Sequence, residues 1–391
     1  MTRTGCDIIA GEGLGRLGGM RVGLLENPSS FSSGFVRTRS VLAGAGAVLS
    51  RLFGPQHGIY GETQANMIEW EGFNDPELGI PVHSLYGTTR APLPEWLEGL
   101  DAVVMDLQDV GARPYTYIWT SLLMMEECAR QGVEMIVLDR PNPAGGALVE
   151  GPVLQMGFES FVGMHPVPLR HGLTIGEMML MLNGERQVGC RLSVVEMDGW
   201  ERDMLFGDTG LPWFQPSPNI PSPAAALVYS GMVLLEGTNI SEGRGTTRPF
   251  ETAGAPWIDP AALCGALRGM EIPGAAFTPV SFVPTFDKYA GELCGGVRIY
   301  VTDARAFRPV RCAALLIGAA GRLRPGKFEW ARPPYEYEES LMPIDIIYGG
   351  EGLRRAVDSG ADIGSVDAGW ADGEKAFEAG RRRYLLYDGM A

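Results

Sequence analysis

The sequence lacks any apolar run approaching the roughly 20 residues that span a bilayer. Its N-terminal Met1-Thr2-Arg3-Thr4-Gly5-Cys6 leads into no uninterrupted hydrophobic stretch of the signal type. A cytoplasmic protein is the expectation. Cysteine is scarce: Cys6, Cys128, Cys190, Cys264, Cys294 and Cys312 lie far apart with no C-x-x-C pair. That spacing argues against a zinc knuckle or a disulfide framework and predicts buried thiols. Positive charge is in deficit, with 32 Lys and Arg against 47 Asp and Glu and a formal net charge of −15. Such a balance repels phosphate backbones and anionic membranes, so neither nucleic acid nor a membrane is expected as a partner. It also disfavours a long anionic glycan polymer and leaves chain ends or small fragments as substrates.

Several catalytic signatures are missing too. The four histidines, His57, His83, His165 and His171, form no H-E-x-x-H or other tight ligand pair, and no metal is expected. There is no G-x-S-x-G elbow and no G-K-[ST] phosphate loop. The run Gly13-Leu14-Gly15-Arg16-Leu17-Gly18 matches G-x-G-x-x-G, but it precedes the first strand rather than following one, so it reads as a loop and not as a dinucleotide fingerprint.

What is present is an ordinary globular composition, 45% apolar and 20% charged, over 391 residues, a length suited to two domains. Short apolar runs at 21–26, 47–53, 102–107 and 133–138 read as buried strands, and helical patterns at about 36–43, 94–99 and 117–131 separate them. The alternation predicts an α/β fold with a Rossmann-like, doubly wound parallel sheet. Prolines 212, 216, 218, 221 and 223 make a stiff connector. We expect a domain over 1–222 and a smaller C-terminal α/β domain over 223–391 that closes the active-site cleft. In the second, 228–235, 280–286 and 297–302 read as strands; helices are expected near 261–268, 308–320 and 352–357.

In doubly wound sheets, ligands bind beyond the carboxyl ends of the strands. The sequence sets polar clusters there: Asn27; Gln56 and His57; Asp106, Gln108 and Asp109; Asp139, Arg140 and Asn142. Glycoside hydrolysis needs two carboxyl groups, and Glu62, Asp106, Asp109, Asp139, Glu150, Glu236 and Glu242 lie in or beside Gly- or Pro-rich loops. The run 235–246, with Glu236, Asn239, Ser241, Glu242 and Arg244, combines glycine with donors and acceptors suited to sugar hydroxyls. Trp213, Trp257 and Tyr229 are candidates to stack on a pyranose.

These residues resemble the exo-β-N-acetylmuramidase family, long described as a domain of unknown function, over nearly the whole chain. The matching segments are Pro55-Gln56-His57-Gly58-Ile59-Tyr60-Gly61, Ser84-Leu85-Tyr86-Gly87, the run from Asp106 to Tyr117 with Arg113 and Tyr115, Leu138-Asp139-Arg140-Pro141-Asn142-Pro143 with Glu150-Gly151-Pro152, Arg170-His171-Gly172, and the 236–246 segment. The resemblance implies a Rossmann-like domain and a smaller α/β domain with the active site between them. It also implies release of N-acetylmuramic acid from non-reducing ends without a redox cofactor. Glu62, Asp106, Glu150 and His57 are the catalytic candidates, and the other clustered residues, His171 included, the substrate-binding ones. Arg113, Arg140, Arg170 and Arg244 are candidates for the lactyl carboxylate, because guanidinium binds carboxylate bidentately.

The chain departs from the family pattern at Gln56, where the family carries Glu. An amide keeps the shape of the carboxyl group but has no proton to give. Either a neighbour such as Glu62 supplies the acid, or the pair lies elsewhere, as Glu150 with Asp106, or the protein is a non-catalytic sugar-binding or regulatory homologue.

Overall fold

The computed structural model describes residues 1–387. In chain order its strands are β1 (Arg21–Glu26), β2 (Val48–Gly54), β3 (Phe73–Asn74), β4 (Pro81–Ser84), β5 (Ala102–Asp106), β6 (Glu134–Leu138), β7 (Glu150–Val153), β8 (Pro168–Arg170), β9 (Leu192–Val195), β10 (Thr252–Ala255), β11 (Ala275–Phe282) and β12 (Cys294–Val301). Seven of them form the main sheet in the order β3-β4-β2-β1-β5-β6-β9. All its pairs are parallel except β3 with β4. Without the antiparallel edge strand β3, the order is that of a Rossmann sheet, and it reverses between β1 and β5. Burial on both faces explains the near-continuous apolar runs: every residue of β5 is buried, as are five of six in β1.

Helices α1 (Gly5–Glu12), α2 (Thr38–Gly44), α3 (Tyr117–Gln131) and α4 (Ile175–Glu185) accompany this sheet. Thr4 and Asp7 form a capping box at the start of α1, a helix the apolar pattern did not announce. The glycines at 13–18 follow α1 and precede β1, with a 3₁₀ turn at Gly15–Leu17, so they open no helix after a strand. The pattern at 94–99 is only a 3₁₀ turn, Pro94–Trp96.

The second part holds α5 (Pro223–Met232), α6 (Pro260–Arg268), α7 (Pro309–Leu323), α8 (Pro343–Tyr348), α9 (Gly352–Asp358) and α10 (Ala371–Arg381) beside the antiparallel sheet β10-β12-β11. One expectation is corrected here: residues 228–235, read as a strand, continue α5 and then a 3₁₀ turn, Val233–Gly237. The segment is buried on every side, so its apolar residues show no 3.6-residue period. The true signals were the Ser222 N-cap and Pro223 in the first turn. Gly231 lets α5 and α7 touch, since a Cβ there would stand 1.9 Å from the Pro309 carbonyl oxygen. The proline-rich connector has no regular structure before Ser222, but it packs on the loop after β1: Phe214 stacks on Phe31 with centroids 5.1 Å apart.

The C-terminal end is tied to the sheet through Asp139, fully buried after β6. Its carboxylate accepts from Tyr387 Oη (2.6 Å), Thr174 Oγ1 (2.7 Å), Gly176 N (2.8 Å) and Arg140 N (3.0 Å). Removing one donor leaves part of a buried carboxylate unsatisfied, at about 1–3 kcal/mol. Tyr387→Phe should therefore lower the unfolding free energy by that amount in urea. A change within about 0.5 kcal/mol, the range of ordinary surface substitutions, would show that the tail is not an anchor.

Candidate active site

β2 ends at Gly54, and the chain turns through Pro55, Gln56, His57 and Gly58 with His57 at φ 72°. A left-handed non-glycine residue is uncommon and strained. Here it holds a buried imidazole at the wall of a recess of about 370 Å³, open mouth included. The other walls are Pro114–Thr116 ahead of α3, the connector at 217–220, Glu236 and Arg244 from the glycine-rich loop, and Tyr335 and Glu336.

His57 Nδ1 lies 2.7 Å from the Thr63 carbonyl oxygen, which can only accept. Nδ1 therefore carries the hydrogen and Nε2 is an acceptor. Burial pushes the imidazole pKa down to about 4, aided by the Arg244 charge and opposed by the Thr63 bond, so the ring is neutral near pH 7.

Two glutamates share the recess in different surroundings. Glu236 accepts from Arg244 Nη2 (2.8 Å), Tyr335 Oη (2.5 Å) and Asn66 Nδ2 (3.0 Å), an arrangement that satisfies a charged carboxylate. Glu336 accepts from Tyr86 Oη (2.7 Å) and Gln56 Nε2 (3.2 Å), and among the described residues no cation forms an ion pair with it. Burial pushes its pKa up to about 7; the Tyr86 bond opposes the shift and the Glu236 charge adds to it. Gln56 is fully engaged: Nε2 also donates to Asn66 Oδ1 (2.9 Å), and Oε1 accepts from Thr116 Oγ1 (2.9 Å).

The backbone around Glu336 is unusual. Tyr335 and Glu338 exchange both backbone hydrogen bonds at 2.9 Å, and Glu336 (φ 44°) and Tyr337 (φ 68°) make a two-residue turn with both central residues left-handed. Turns of this shape favour Asn and Gly, and each residue held in this region costs on the order of 1–3 kcal/mol. Within the 236–246 loop, Gly245 (φ 75°) permits close folding, since a Cβ there would stand 2.6 Å from the Phe286 carbonyl oxygen.

Of the residues expected from sequence, Gln56, His57, Tyr115, Glu236 and Arg244 line the recess, together with Tyr229. The others stand outside it. Asn27 Nδ2 reaches the Pro216 carbonyl at 3.3 Å and ties β1 to the connector. Asp106 is consumed by Arg140, at 2.5 and 2.8 Å, and by Thr38. Gln108 donates to the carbonyls of Asp109 (2.7 Å) and Pro141 (2.8 Å); Asp109 accepts from Gly111 N (2.7 Å) and faces His171 Nε2 at 3.3 Å. Asn142 spans Leu173 O and Ala144 N, both at 2.9 Å, and Asp139 anchors the C-terminal end as described.

Arg113 is fully buried and donates to the carbonyls of Pro152, Val167 and Ile347, while Arg170 donates to that of Ala144. Neither is placed to meet a ligand in the recess. Glu150 accepts from Arg311 N (2.9 Å) at the start of α7, and Glu62 is exposed beside Gly58. Asn239 bonds Lys327 O (2.8 Å) and Glu329 N (3.0 Å); Ser241 accepts from Gly243 N (3.1 Å); Glu242 pairs with Lys288 (3.0 Å) and Arg244 (3.2 Å). Trp213 meets the edge of Phe206, and Trp257 bonds Tyr289 Oη at 3.4 Å, so neither forms a wall. Sequence reasoning missed Asn66, Thr116, Tyr335 and Glu336. The Tyr-Glu-Tyr-Glu-Glu run after Pro333-Pro334 was the available signal for the last two.

Fold and recess together define a two-domain α/β hydrolase whose polar chemistry is that of carboxyl groups. Sequence models described as exo-beta-N-acetylmuramidase NamZ match it in two pieces, the N-terminal model over residues 22–224 and the C-terminal one over 227–387. The chain belongs to the NamZ exo-β-N-acetylmuramidase family. It is 40% identical over 386 residues to the peptidoglycan beta-N-acetylmuramidase NamZ of Bacillus subtilis (strain 168), covering 98% of this chain and 91% of that one. The fold is similar to crystal structures of two DUF1343 family proteins from Bacteroides fragilis NCTC 9343. One has a TM-score of 0.89 at 33% identity, covering 99% of both chains. The other has a TM-score of 0.77 at 27% identity over the full length of both.

The Glu336 carboxyl has a folded-state pKa above its ordinary 4.5, near 7. Its contribution to stability is therefore complete below about pH 4.5 and lost as the pH rises through about 7. Glu336→Gln removes that loss. The variant should match wild type in urea at pH 4.5 and exceed it at pH 8, and a gap that does not widen with pH would show the carboxyl is not raised.

Proposed function

We propose that this protein is an exo-acting glycosidase that releases N-acetylmuramic acid from the non-reducing ends of peptidoglycan fragments. The observation that carries this reading is the pairing, in one narrow recess, of two glutamates in contrasting surroundings within a chain of the exo-β-N-acetylmuramidase family. Glycoside hydrolysis uses two carboxyl groups with different tasks, and environments that drive their proton affinities apart assign those tasks. The ligands of His57, Tyr115, Glu236 and Arg244 would be the hydroxyls and acyl groups of the terminal sugar. None of these steps requires a redox cofactor.

The test is incubation with a chromogenic N-acetylmuramic acid glycoside, its N-acetylglucosamine counterpart, and a disaccharide with N-acetylmuramic acid at the non-reducing end. Release of N-acetylmuramic acid from the first and third, and little reaction with the second, is the expected result. Binding of N-acetylmuramic acid without turnover would instead support the sugar-binding homologue.

Arg244 is the one candidate arginine in the recess, and its Nη1 carries no hydrogen bond among the described residues. It is our choice for the lactyl carboxylate that separates muramic acid from glucosamine. Arg244→Lys keeps the charge but loses the fork. It should weaken N-acetylmuramic acid binding by on the order of tenfold or more, equivalent to about 1.4 kcal/mol, and N-acetylglucosamine binding far less. Equal losses in calorimetry would mean that Arg244 only holds Glu236.

A further inference from the structure

We propose that Glu336 is the proton donor to the leaving glycosidic oxygen in this chain, and that Gln56 is the positioning residue that holds it. The inference rests on the glycosidase reading above and goes beyond it by choosing between the carboxyl groups.

Position comes first. Among the carboxyl groups, the recess is lined by Glu236 and Glu336 only, within the described residues, while Glu62, Asp106 and Glu150 stand outside it. Glu236 is tied to a guanidinium and two further donors, so a proton placed on it would break its pairing with Arg244. Glu336 has no such partner. Its carboxyl is held from two sides by neutral groups, the Tyr86 hydroxyl on Oε2 and the Gln56 amide on Oε1. A tyrosine hydroxyl can also accept, so Oε2 keeps its partner when it carries the hydrogen. The left-handed turn that presents Glu336 carries a local conformational cost.

The titratable and charged groups around it are Tyr86, Tyr229, Tyr335, Glu236, Arg244 and, farther out, Arg90. The nearest charges oppose each other, Glu236 favouring the protonated form and Arg244 the ionised one, and burial tips the balance toward a proton held until about pH 7. That is the range in which a general acid is most effective at neutral pH.

Gln56 gains a purpose in this arrangement. A carboxyl group at that position would stand where the amide now meets Glu336 at 3.2 Å, and two carboxyls that close share a proton. With the amide, one proton has one owner. In the step, the proton leaves Glu336 for the glycosidic oxygen as the bond from that oxygen to the anomeric carbon breaks, and the bonding pair stays on the oxygen. Water supplies the new hydroxyl at the anomeric carbon, and its remaining proton restores the carboxyl over the turnover.

The experiment compares leaving groups. On the unactivated disaccharide, Glu336→Gln should lose about 10²–10⁴ in kcat/KM, whereas on a dinitrophenyl glycoside, whose leaving group needs no proton, the loss should be under about tenfold. The alkaline limb of the wild-type pH profile, near 7, should vanish in the variant. Gln56→Glu should move that limb to higher pH, because a second carboxyl raises the proton affinity of the first. Equal losses on both substrates, or an alkaline limb that survives in Glu336→Gln, would overturn the assignment. An alkaline limb that Gln56→Glu leaves in place would overturn the role of Gln56. Wild-type protein that cleaves neither substrate would instead overturn the glycosidase reading, a result distinct from either.

Discussion

The recess holds more carboxyl groups than cations, and the chemistry follows from that imbalance. Arg244 pairs with both Glu236 and Glu242, and Lys288 takes the other oxygen of Glu242. Against the effect of burial, Lys288 and Arg244 pull the Glu242 pKa down, so this carboxylate is a fixed anion that helps hold the guanidinium. Two cations thus serve Glu236 and Glu242, and Glu336 is left over. An unpaired buried charge is expensive, and such a group takes up a proton instead. The proton at Glu336 is a product of charge counting among side chains drawn from a loop and two turns.

The Rossmann order makes a different site look natural. Ligands of such sheets sit where the strand order reverses, here between β1 and β5, and that crevice does contain Ser29, Gln108 and Arg140. Yet its strongest polar groups are already spent. Arg140 and Asp106 neutralise each other, Asn27 and Gln108 bond backbone carbonyls, and Phe214 of the connector stacks over Phe31. The recess instead lies at the end of β2, one strand away. The fold supplies the edge; side-chain pairing decides which part of it stays open.

That shift explains what was legible in the sequence. The sheet was readable because β1, β2, β5 and β6 are compact apolar runs with turn residues behind them, and so was α3, whose C-terminus is closed by left-handed Gly132. Helix α5 was not, because burial on all sides erases the helical period. In the candidate site, Gln56, His57, Glu236 and Arg244 stood out as polar residues in glycine-bearing loops. Asp106, Asp139 and Arg113 stood out for the same reason, although their polarity serves buried ion pairs, caps and carbonyls. A sequence shows that a polar residue is there and not whether its partners are already inside the protein. Glu336 was hidden for the converse reason: its polar partners Tyr86 and Gln56 lie 250 and 280 residues away in the chain.

Those separations have a structural consequence. Gln56, His57, Asn66 and Tyr86 come from the strands and loops of the main sheet, while Glu236, Arg244, Tyr335 and Glu336 come from the part after the connector. The bonds Gln56–Glu336, Tyr86–Glu336 and Asn66–Glu236 cross between the two. Neither part alone would bury Glu336, and without burial its carboxyl would fall back toward the ordinary range of glutamate. The acid with the unusual affinity for its proton therefore exists only when both parts are packed together. Coupling of this kind needs no moving element, because the interface that shapes the recess is also what removes water from the group inside it.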